Sequence, residues 1–305
     1  PDTLYPCLPI KDKTGKGLIF PSRGSCYASS PEIYLALRMG ATVRSNSFIV
    51  QHAKQTHSLL DVMRHLTNLR ARAASEHGKG SPQELFQKEV TNSVYGKIGQ
   101  GLAGKRNYSV KRDEYQVSPP SSITSAPQAA LITGLVRALV SAALVELGAG
   151  GYRVLSVTTD GFLTDAPFDF LDSCNLFGVA DLFRNVRGQI APSRAIWEEK
   201  HEAESAVMFK TRGGVGQGET TTKLPIARAG YKFSPDGLAD FATGQQNEQD
   251  EMARLYLTRD GNLPMTFTKL PSVVDYFRRD ADGLAAEVSK TLSLEYDFKR
   301  NPVGP

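Results

Sequence analysis

Residues 88–96 of this 305-residue chain read KEVTNSVYG, and they decide the interpretation of its fold. The stretch lies in a segment whose composition predicts a helix. On a helix, Lys88, Asn92 and Tyr95 are spaced i, i+4 and i+7 and share one face. That face carries a cation, an amide and a phenol, whereas a helix that only packs against a core presents an apolar stripe.

Two interpretations of this helix face follow from the residues alone. In the first, it binds a nucleoside triphosphate: Lys88 meets the phosphate charge, Asn92 supplies hydrogen bonds, and Tyr95 lies flat near the sugar or base pair. Gly96, which has no side chain, leaves room beside the ring for this partner. In the second, the helix is simply amphipathic, with a solvated lysine, an asparagine near its end and a packed tyrosine. Geometry alone leaves both interpretations open.

The same helix is predicted to form half of a helical hairpin. Residues 51–76 and 82–98 have helical patterns and are separated by the sequence HGKGS. A glycine-containing loop this short makes the two helices antiparallel neighbours. Ser81 and Glu84 form a capping-box pattern at the start of the second helix, and the tip of the hairpin is basic.

The segments around the hairpin mix strands and helices. Before it, residues 17–21 predict a strand ended by proline, and residues 31–40 predict a helix capped by Ser29 or Ser30. Residues 42–50 predict a strand or the end of one.

After the hairpin comes an ambiguous polar segment at 107–117, then a predicted helix with a broad apolar face at 127–147. Residues 152–165 predict two strands that join near Asp160 and Gly161, because an Asp-Gly pair favours a hairpin turn.

The remainder predicts a strand at 205–212 that runs into a glycine-rich turn at 213–218, and short helices at 250–258 and 273–277. Helices and strands do not alternate regularly along the chain. The pattern therefore favours an α+β fold, with a palm-like antiparallel sheet and helical additions.

The composition limits the class of protein. Contents of 40% hydrophobic and 22% charged residues are ordinary for a globular chain. No apolar run approaches the roughly 20 residues that span a bilayer, so we expect no membrane partner. Three cysteines without zinc-like spacing predict neither a disulfide framework nor a structural metal site. A formal net charge of +4 permits contact with nucleic acid without requiring it.

The pattern Lys-x-x-x-Asn-Ser-x-Tyr-Gly resembles the fingers motif of family B DNA polymerases, and Lys97 after it is also usual there. The resemblance implies that Lys88 contacts the incoming triphosphate and can donate a proton to the leaving pyrophosphate. It implies that Tyr95 lies under the sugar and rejects ribonucleotides, and that Asn92 lines the same pocket. Ser93 and Gly96 of the motif are then expected to lie against the DNA.

A second resemblance lies in VTTDG at residues 157–161, which is similar to the family's palm hairpin, Tyr-x-Asp-Thr-Asp-Ser. Asp160 matches the aspartate that binds both metal ions in the family. Thr158 stands where the first aspartate is usual, and Gly161 replaces the serine. Taken alone, an aspartate in a hairpin is equally explained as a turn former.

The implied chemistry requires more than one carboxylate. Nucleotidyl transfer uses two Mg²⁺ (or Mn²⁺) ions, which Asp160 cannot hold by itself. The family's second aspartate comes from Asp-x-x-Ser-Leu-Tyr-Pro. Aligning Leu4-Tyr5-Pro6 with the end of this motif would place that aspartate just before residue 1, but the run from there to Lys88 is rather short, which favours an aspartate further upstream. We therefore expect an upstream segment of the same polymerase to supply it. Asp165 is a poor substitute, because strand alternation turns it to the opposite face.

A third resemblance is FKTRGG at residues 209–214, at the distance of the family's Lys-x-Tyr element, which contacts the primer-template. Arg212 replaces the tyrosine, and this form is similar to the primer-independent branch of the family. Lys210, Thr211 and Arg212 are thus predicted to contact the DNA, gripping phosphates without reading bases. The alternative is a solvated basic turn.

Arginines on the first hairpin helix complete the predicted nucleotide site. Arg70 and Arg72 are candidates for the triphosphate tail, because arginine binds phosphate bidentately and family members carry basic residues there. Arg64 is a further candidate, and each of the three could equally be a solvated surface residue.

The resemblance implies a right-hand polymerase: partial palm at 1–50, fingers at 51–104, palm at 105–224 and thumb at 225–305. The expected activity is template-directed DNA synthesis from dNTPs on a DNA primer-template, by the C-terminal part of a longer polymerase, since the chain begins with proline. Two alternatives remain: a catalytically inactive nucleic-acid-binding relic, and a primase-like nucleotidyltransferase. The expected location is the cytoplasm of a bacterial or viral host cell, or an organelle, and not outside the cell.

Overall fold

The computed structural model describes residues 5–11, 17–45, 47–48, 59–191, 193–210, 212–218, 226–228, 245–258, 262–269 and 286–293. The chain divides into two compact units. The first comprises Pro1–Asn107 and Tyr115–Glu198, and the second comprises Tyr108–Glu114 and Glu199–Pro305.

Helices dominate the first unit. They are α1 (Ser30–Arg38), α2 (Leu60–His77), α3 (Pro82–Ile98), α4 (Ala126–Ala149), α5 (Phe168–Ser173) and α6 (Val179–Ile190). Its strands form two antiparallel pairs, β1 (Ile10–Lys11) with β2 (Leu18–Ile19), and β5 (Val154–Val157) with β6 (Phe162–Thr164). A further two-stranded sheet, β3 (Arg106–Ser109) with β4 (Glu114–Val117), occupies the segment that the sequence left ambiguous.

The second unit is mostly strands. Its elements are β7 (Ser205–Lys210), β8 (Gly213–Gln217), β9 (Ile226–Arg228), α7 (Gln245–Thr258), β10 (Asn262–Lys269) and β11 (Ala286–Ser293). Strands β7, β8 and β9 form an antiparallel sheet, and β10 pairs antiparallel with β11. Met252 and Tyr256 of α7 are buried with Val215 of β8 in this unit's core. The mixture of helices with small antiparallel sheets confirms the α+β class, while the right-hand architecture stays a prediction.

The core of the first unit lies where α1 packs against α4. Leu35 and Ala36 of α1 are buried with Ala138 and Ala142 of α4. Small residues on α4 let the two helices approach closely. By length and composition α4 is also apolar enough to cross a membrane, a test that the central helix of a globular core passes as well.

A polar cluster lies at the same junction. The Glu32 carboxylate is buried and accepts hydrogen bonds from the Ser29 N–H at 2.8 Å and the Ser29 hydroxyl at 2.7 Å. Nε of Arg137 on α4 donates to the other carboxylate oxygen at 2.8 Å. A Cβ at Gly134 would lie 1.8 Å from Oγ of Ser29, so only glycine leaves room for this cluster.

Two predicted elements differ from the structure. Residues 213–218 were expected to form a glycine-rich turn, but Gly213–Gln217 is the central strand of its sheet. The glycines are needed for packing: a Cβ at Gly214 would lie 1.9 Å from Sδ of Met208. Residues 41–45 contain no strand, contrary to the strand expected at 42–50. Residues 51–58 and the helix predicted at 273–277 lie outside the described residues.

Candidate active site

Helix α3 is held in place at both ends and exposed along most of its length. Its start is capped by Ser81, whose hydroxyl oxygen accepts a hydrogen bond from the Glu84 N–H at 3.2 Å. Pro82 suits the first helical position because its missing N–H has no partner there in any helix. At the other end, Gly99 N–H donates to the Tyr95 carbonyl at 3.1 Å. Between these ends, only Glu84 and Ile98 are buried.

The predicted nucleotide-binding face of α3 is exposed. Lys88, Asn92 and Tyr95 all reach solvent, and the exposed fraction of Tyr95 is 44%. None of the three side chains forms a hydrogen bond or a close ion pair with another of the described residues, but the Lys88 ammonium interacts electrostatically with the Glu84 carboxylate one helical turn earlier. The fold of this chain therefore does not account for this combination of a cation, an amide and a phenol, which favours the binding interpretation over a packed tyrosine.

The two small residues of the same motif, Ser93 and Gly96, have different surroundings. Oγ of Ser93 donates to the Val90 carbonyl at 2.7 Å, so its hydroxyl is engaged within the helix. Gly96 is exposed, and a Cβ placed on it would have nothing within 4 Å among the described residues. Internal packing thus gives no reason for a glycine at position 96, whereas close approach of a ligand would.

Arg70 lies in the contact between α2 and α3. Its Nε donates to Oε1 of Glu84 at 2.7 Å, and Oε2 of Glu84 accepts from the Gly80 N–H at 3.3 Å. Glu84 is only 4% exposed, so the arginine compensates a carboxylate that the hairpin removes from water. The hydrogen bond from Arg70 holds the pKa of Glu84 below its ordinary value.

The other two arginines of α2 are more accessible. Arg72 is 3.8 Å from Glu76 one helical turn later, and both side chains are largely exposed. Such exposed pairs are weak, about 0.3–0.5 kcal/mol, so Arg72 is available to a stronger partner. Arg64 donates through Nε to the Gln189 carbonyl on α6 at 2.6 Å, which ties the hairpin to the rest of the unit.

The β5–β6 hairpin forms as predicted, with its turn one residue earlier than the Asp-Gly signal indicated. Val157 pairs with Phe162, and the N–H and hydroxyl of Thr158 donate to the Gly161 carbonyl at 2.8 and 3.1 Å. The exposed tip is therefore Thr159 and Asp160. Gly161 does not adopt the left-handed conformation that the commonest Asp-Gly turn requires.

Asp160 and Asp165, the two carboxylates of this hairpin, have different surroundings. Asp160 is exposed at the tip and forms no ion pair with the described residues. Asp165 closes the base of the hairpin: it accepts from the Arg153 N–H at 2.7 Å and from Arg153 Nε at 2.9 Å. These backbone and side-chain hydrogen bonds lower the pKa of Asp165.

The described residues provide only part of a donor set for a metal ion. Among the described residues, no group of three or more His, Cys, Asp or Glu side chains could hold an ion. Asp160 alone supplies a carboxylate of the type that Mg²⁺ prefers, at an exposed turn where water and phosphate could complete the coordination. The residues present therefore fit one part of a magnesium site.

The predicted DNA-contacting residues of the second unit lie at the β7–β8 turn. Lys210 is the last residue of β7, Thr211 lies outside the described residues, and Arg212 is exposed with a left-handed φ of 59°. This conformation is uncommon for a side chain as large as arginine. The structure brings Lys88 and Asp160 into one compact unit and assigns Lys210 and Arg212 to the other.

Two interactions escaped sequence analysis. The Arg70–Glu84 pair joins positions 14 residues apart across a helical hairpin, and the Glu32–Arg137 pair joins positions 105 apart. A capping pattern identified Glu84 as a helix-start residue, but nothing in the sequence identified Arg70 as its partner or paired Glu32 with Arg137.

Comparison with known proteins gives one relative over almost the whole chain. The chain is 35% identical over 312 aligned positions, covering 99% of its length, to a protein of Escherichia coli described as "Primer-independent DNA polymerase PolB". The chain spans 34% of that relative's length. No protein-family model matches the chain. No solved structure matches it.

Proposed function

We propose, from the relationship of this chain to family B DNA polymerases of the primer-independent branch, that it carries the nucleotide-selecting helix and part of the metal site for template-directed DNA synthesis. The observation that carries the proposal is the α3 face, where Lys88, Asn92 and Tyr95 are exposed and form no hydrogen bond or close ion pair with the described residues. The relationship extends over 99% of the chain, so it covers both this face and the Asp160 turn.

The reaction joins a 3′-hydroxyl oxygen to the α-phosphorus of a dNTP and releases pyrophosphate. In our proposal the Lys88 ammonium binds the triphosphate and gives its proton to the leaving pyrophosphate oxygen, which neutralises charge where it develops. Asn92 hydrogen-bonds the nucleotide beside it. Tyr95 lies under the sugar, where its ring would collide with a 2′-hydroxyl, so the site discriminates against ribonucleotides.

Asp160 would hold a divalent metal ion, Mg²⁺ or Mn²⁺. When bound, such ions would supply positive charge that stabilises the attacking and leaving oxygens. The chain's own contribution is to hold the Asp160 carboxylate at the tip of a hairpin whose base is fixed by Asp165 and Arg153. We further propose that another segment of the polymerase supplies the second carboxylate, because the chain spans about a third of its relative.

The arginines and the β7–β8 turn hold the nucleic acid and the triphosphate tail in this proposal. Arg72 reaches the tail most readily, since its pair with Glu76 is exposed and long. Arg70 would have to leave Glu84 to do so, and we assign it primarily to holding α2 against α3. Lys210, Thr211 and Arg212 contact phosphates of the primer-template without reading bases.

The test uses the full-length polymerase on a primed DNA template with all four dNTPs and Mg²⁺. Asp160→Ala is expected to abolish primer extension while leaving primer-template affinity unchanged. Asp169→Asn, which changes another exposed carboxylate, is the matched control and should extend normally. Unchanged extension by Asp160→Ala would refute the metal-binding role. Loss of DNA affinity as well would favour a structural role for the turn.

A second function is the start of synthesis without a primer, favoured by the description of the relative as primer-independent. Omitting the primer from the same assay separates the alternatives. Products that begin de novo and are lost in Asp160→Ala would assign initiation to the same site. Synthesis only with a primer would exclude initiation, and binding without any synthesis would support an inactive relic.

A further inference from the structure

A cavity of ≈ 510 Å³ lies in the first unit where α4 ends. It is lined on one side by Phe170 of α5 and Phe177, two half-buried rings that also pack against the core. Its polar lining consists of Arg38 at the end of α1 and Asn175, which are both exposed, and Glu146, whose Oε1 accepts a hydrogen bond from the Leu176 N–H. Arg38 forms no ion pair with any of the described residues, so its guanidinium is available to a ligand.

The turn that carries Phe177 has an unusual backbone. Leu176, Phe177 and Gly178 have successive φ values of 52°, 55° and 86°. Left-handed conformations are uncommon for leucine and phenylalanine, and two in a row are maintained only where surrounding structure fixes them. Two features fix this turn. Leu176 is fully buried, and its N–H donates a hydrogen bond to Oε1 of Glu146 on α4 at 2.7 Å.

The consequence of this turn is the position of one ring. Leu176 and Phe177 both have unfavourable left-handed backbone conformations. With this backbone, the Phe177 side chain lines the cavity, whereas Leu176 is fully buried. Leu176 fills the interior, whereas Phe177 packs against the core with only part of its ring. Strained residues of this kind cluster at binding and catalytic sites.

We propose that this cavity binds an unpaired base of single-stranded DNA. The open faces of the two half-buried aromatic rings offer stacking surfaces to any base, an unpaired guanidinium at the rim suits the adjacent phosphate, and the Asn175 amide can hydrogen-bond a base edge. The proposal rests on the proposed function, because a polymerase meets single-stranded template. The site is separate from the α3 face and the Asp160 turn, whose residues do not line it.

The experiment measures binding apart from synthesis. A fluorescein-labelled oligothymidylate is titrated with the full-length polymerase by anisotropy, without dNTP, primer or divalent metal. Phe177→Leu and Phe170→Leu, which keep apolar volume but lose the ring, should each weaken affinity about five- to 100-fold, the usual strength of base–aromatic stacking. Arg38→Ala should reduce the slope of log affinity against log salt by about 0.7. Phe168→Leu and Arg44→Ala are matched controls outside the cavity and should bind as the unaltered protein does.

A second measurement does not depend on any variant folding. Oligothymidylate carrying 5-iododeoxyuridine is irradiated on the unaltered protein, and crosslinked residues are identified by mass spectrometry. Crosslinks at Phe170 or Phe177 are expected. Their absence, or affinity that the three cavity substitutions leave unchanged, would overturn the proposal.

The two proposals fail separately. Asp160→Ala should bind the oligothymidylate normally although it synthesises nothing. Crosslinks at the cavity from a polymerase without synthesis would leave this site standing and remove the proposed function. DNA synthesis by a polymerase whose cavity gives no crosslink would support the proposed function and overturn the proposed base-binding site.

Discussion

Helices α3 and α4 begin alike and are used differently. Each follows a serine and has a proline in its first turn, yet α4 buries eight residues whereas α3 buries two. The composition of α4 follows from its neighbours, because alanines and glycine meet α1 there. The composition of α3 does not follow from any neighbour, because its lysine, asparagine and tyrosine are exposed.

The residues of α4 are constrained by the fold, whereas we propose that the exposed residues of α3 are constrained by a ligand. A residue that the fold requires should affect stability when it is changed, and activity only as a consequence. A residue that a ligand requires should affect activity with the free energy of unfolding unchanged. Helix α4 with its α1 junction and helix α3 with the Asp160 turn can therefore be tested by pairing substitutions between them.

The largest effect is expected on α3, from Lys88→Ala. If the ammonium stabilises charge in the transition state, kcat/KM for dNTP should fall about 100- to 1000-fold. Because Lys88 is exposed and acts on Glu84 only electrostatically, without a close ion pair, the melting temperature should fall only slightly. Steady-state primer extension and thermal unfolding provide the two measurements. Glu89→Ala, one position along on the exposed surface, is the control; equal losses in both variants would show that the helix, and not its face, is responsible.

The same glycine-to-alanine change on the two helices should have opposite effects on stability. Gly134→Ala on α4 drives a methyl group into Ser29 and Glu32, and overpacking of this kind costs about 1–3 kcal/mol. Gly96→Ala on α3 meets open space and should stabilise the helix by about 0.5–1 kcal/mol. Urea unfolding compares them. Primer extension should fall in Gly96→Ala despite its higher stability; normal extension would show that no ligand approaches that glycine.

The α1–α4 junction should also respond to pH. Burial would raise the pKa of Glu32, but hydrogen bonds from Arg137 and Ser29 outweigh it and lower the pKa in the folded protein. A lowered folded-state pKa adds stability above the unfolded value, about 4.3, and this stability is lost as pH falls through the folded value. Glu32→Gln should therefore lose stability near neutral pH and differ less from the unaltered protein as the pH falls below about 4. The melting temperatures of both proteins are measured from pH 7 to pH 3. A difference between them that stays the same at every pH would contradict a charged Glu32.

Much of this comparison was accessible from the sequence. Helix α1 was predicted from Ser29, Pro31 and its glycine stop, and the start of α3 from Ser81 and Pro82, because caps and prolines act locally. The α3 face needed only helical spacing and the resemblance of its motif. These signals involve residues within a few positions of each other, which is why they could be read without the structure.

The errors share a different cause, which is dependence on distant contacts. The glycines at 213–217 suggested a turn, but Met208 on the neighbouring strand occupies the space beside Gly214 and makes them a strand. The contact of Arg70 with buried Glu84 was not predicted, because it forms only when α2 and α3 pack together; the role of Arg70 at the triphosphate stays a prediction. The turn at Asp160 shifted by one residue because strand register, and not the Asp-Gly pair, set its position.

A smaller effect is expected at Tyr95, whose ring is proposed to exclude the 2′-hydroxyl. Tyr95→Ala should raise the ratio of ribonucleotide to deoxyribonucleotide incorporation about tenfold or more, in the range of a single lost steric contact. The exposed ring contributes little to packing, so stability should change by less than about 0.5 kcal/mol. Competition between UTP and dTTP on the same template measures the ratio. Tyr95→Phe keeps the ring and should keep the discrimination; a rise there would assign selectivity to the hydroxyl instead.

The smallest effect is expected from a substitution of Gly161, a position where neither packing nor backbone conformation requires a glycine. Unlike Gly134, Gly161 has space: a Cβ there would lie 3.7 Å from Oγ1 of Thr158, an ordinary contact. Its φ is outside the left-handed region, and its carbonyl, not its hydrogen atom, accepts the hydrogen bonds that close the turn. Gly161→Ser, which restores the family's usual residue, should therefore change the free energy of unfolding by less than about 0.5 kcal/mol and leave extension within about twofold. A large loss of primer extension with unchanged stability would mean that a ligand approaches Gly161, as we propose for Gly96. Gly161 would then contact the ligand together with Asp160.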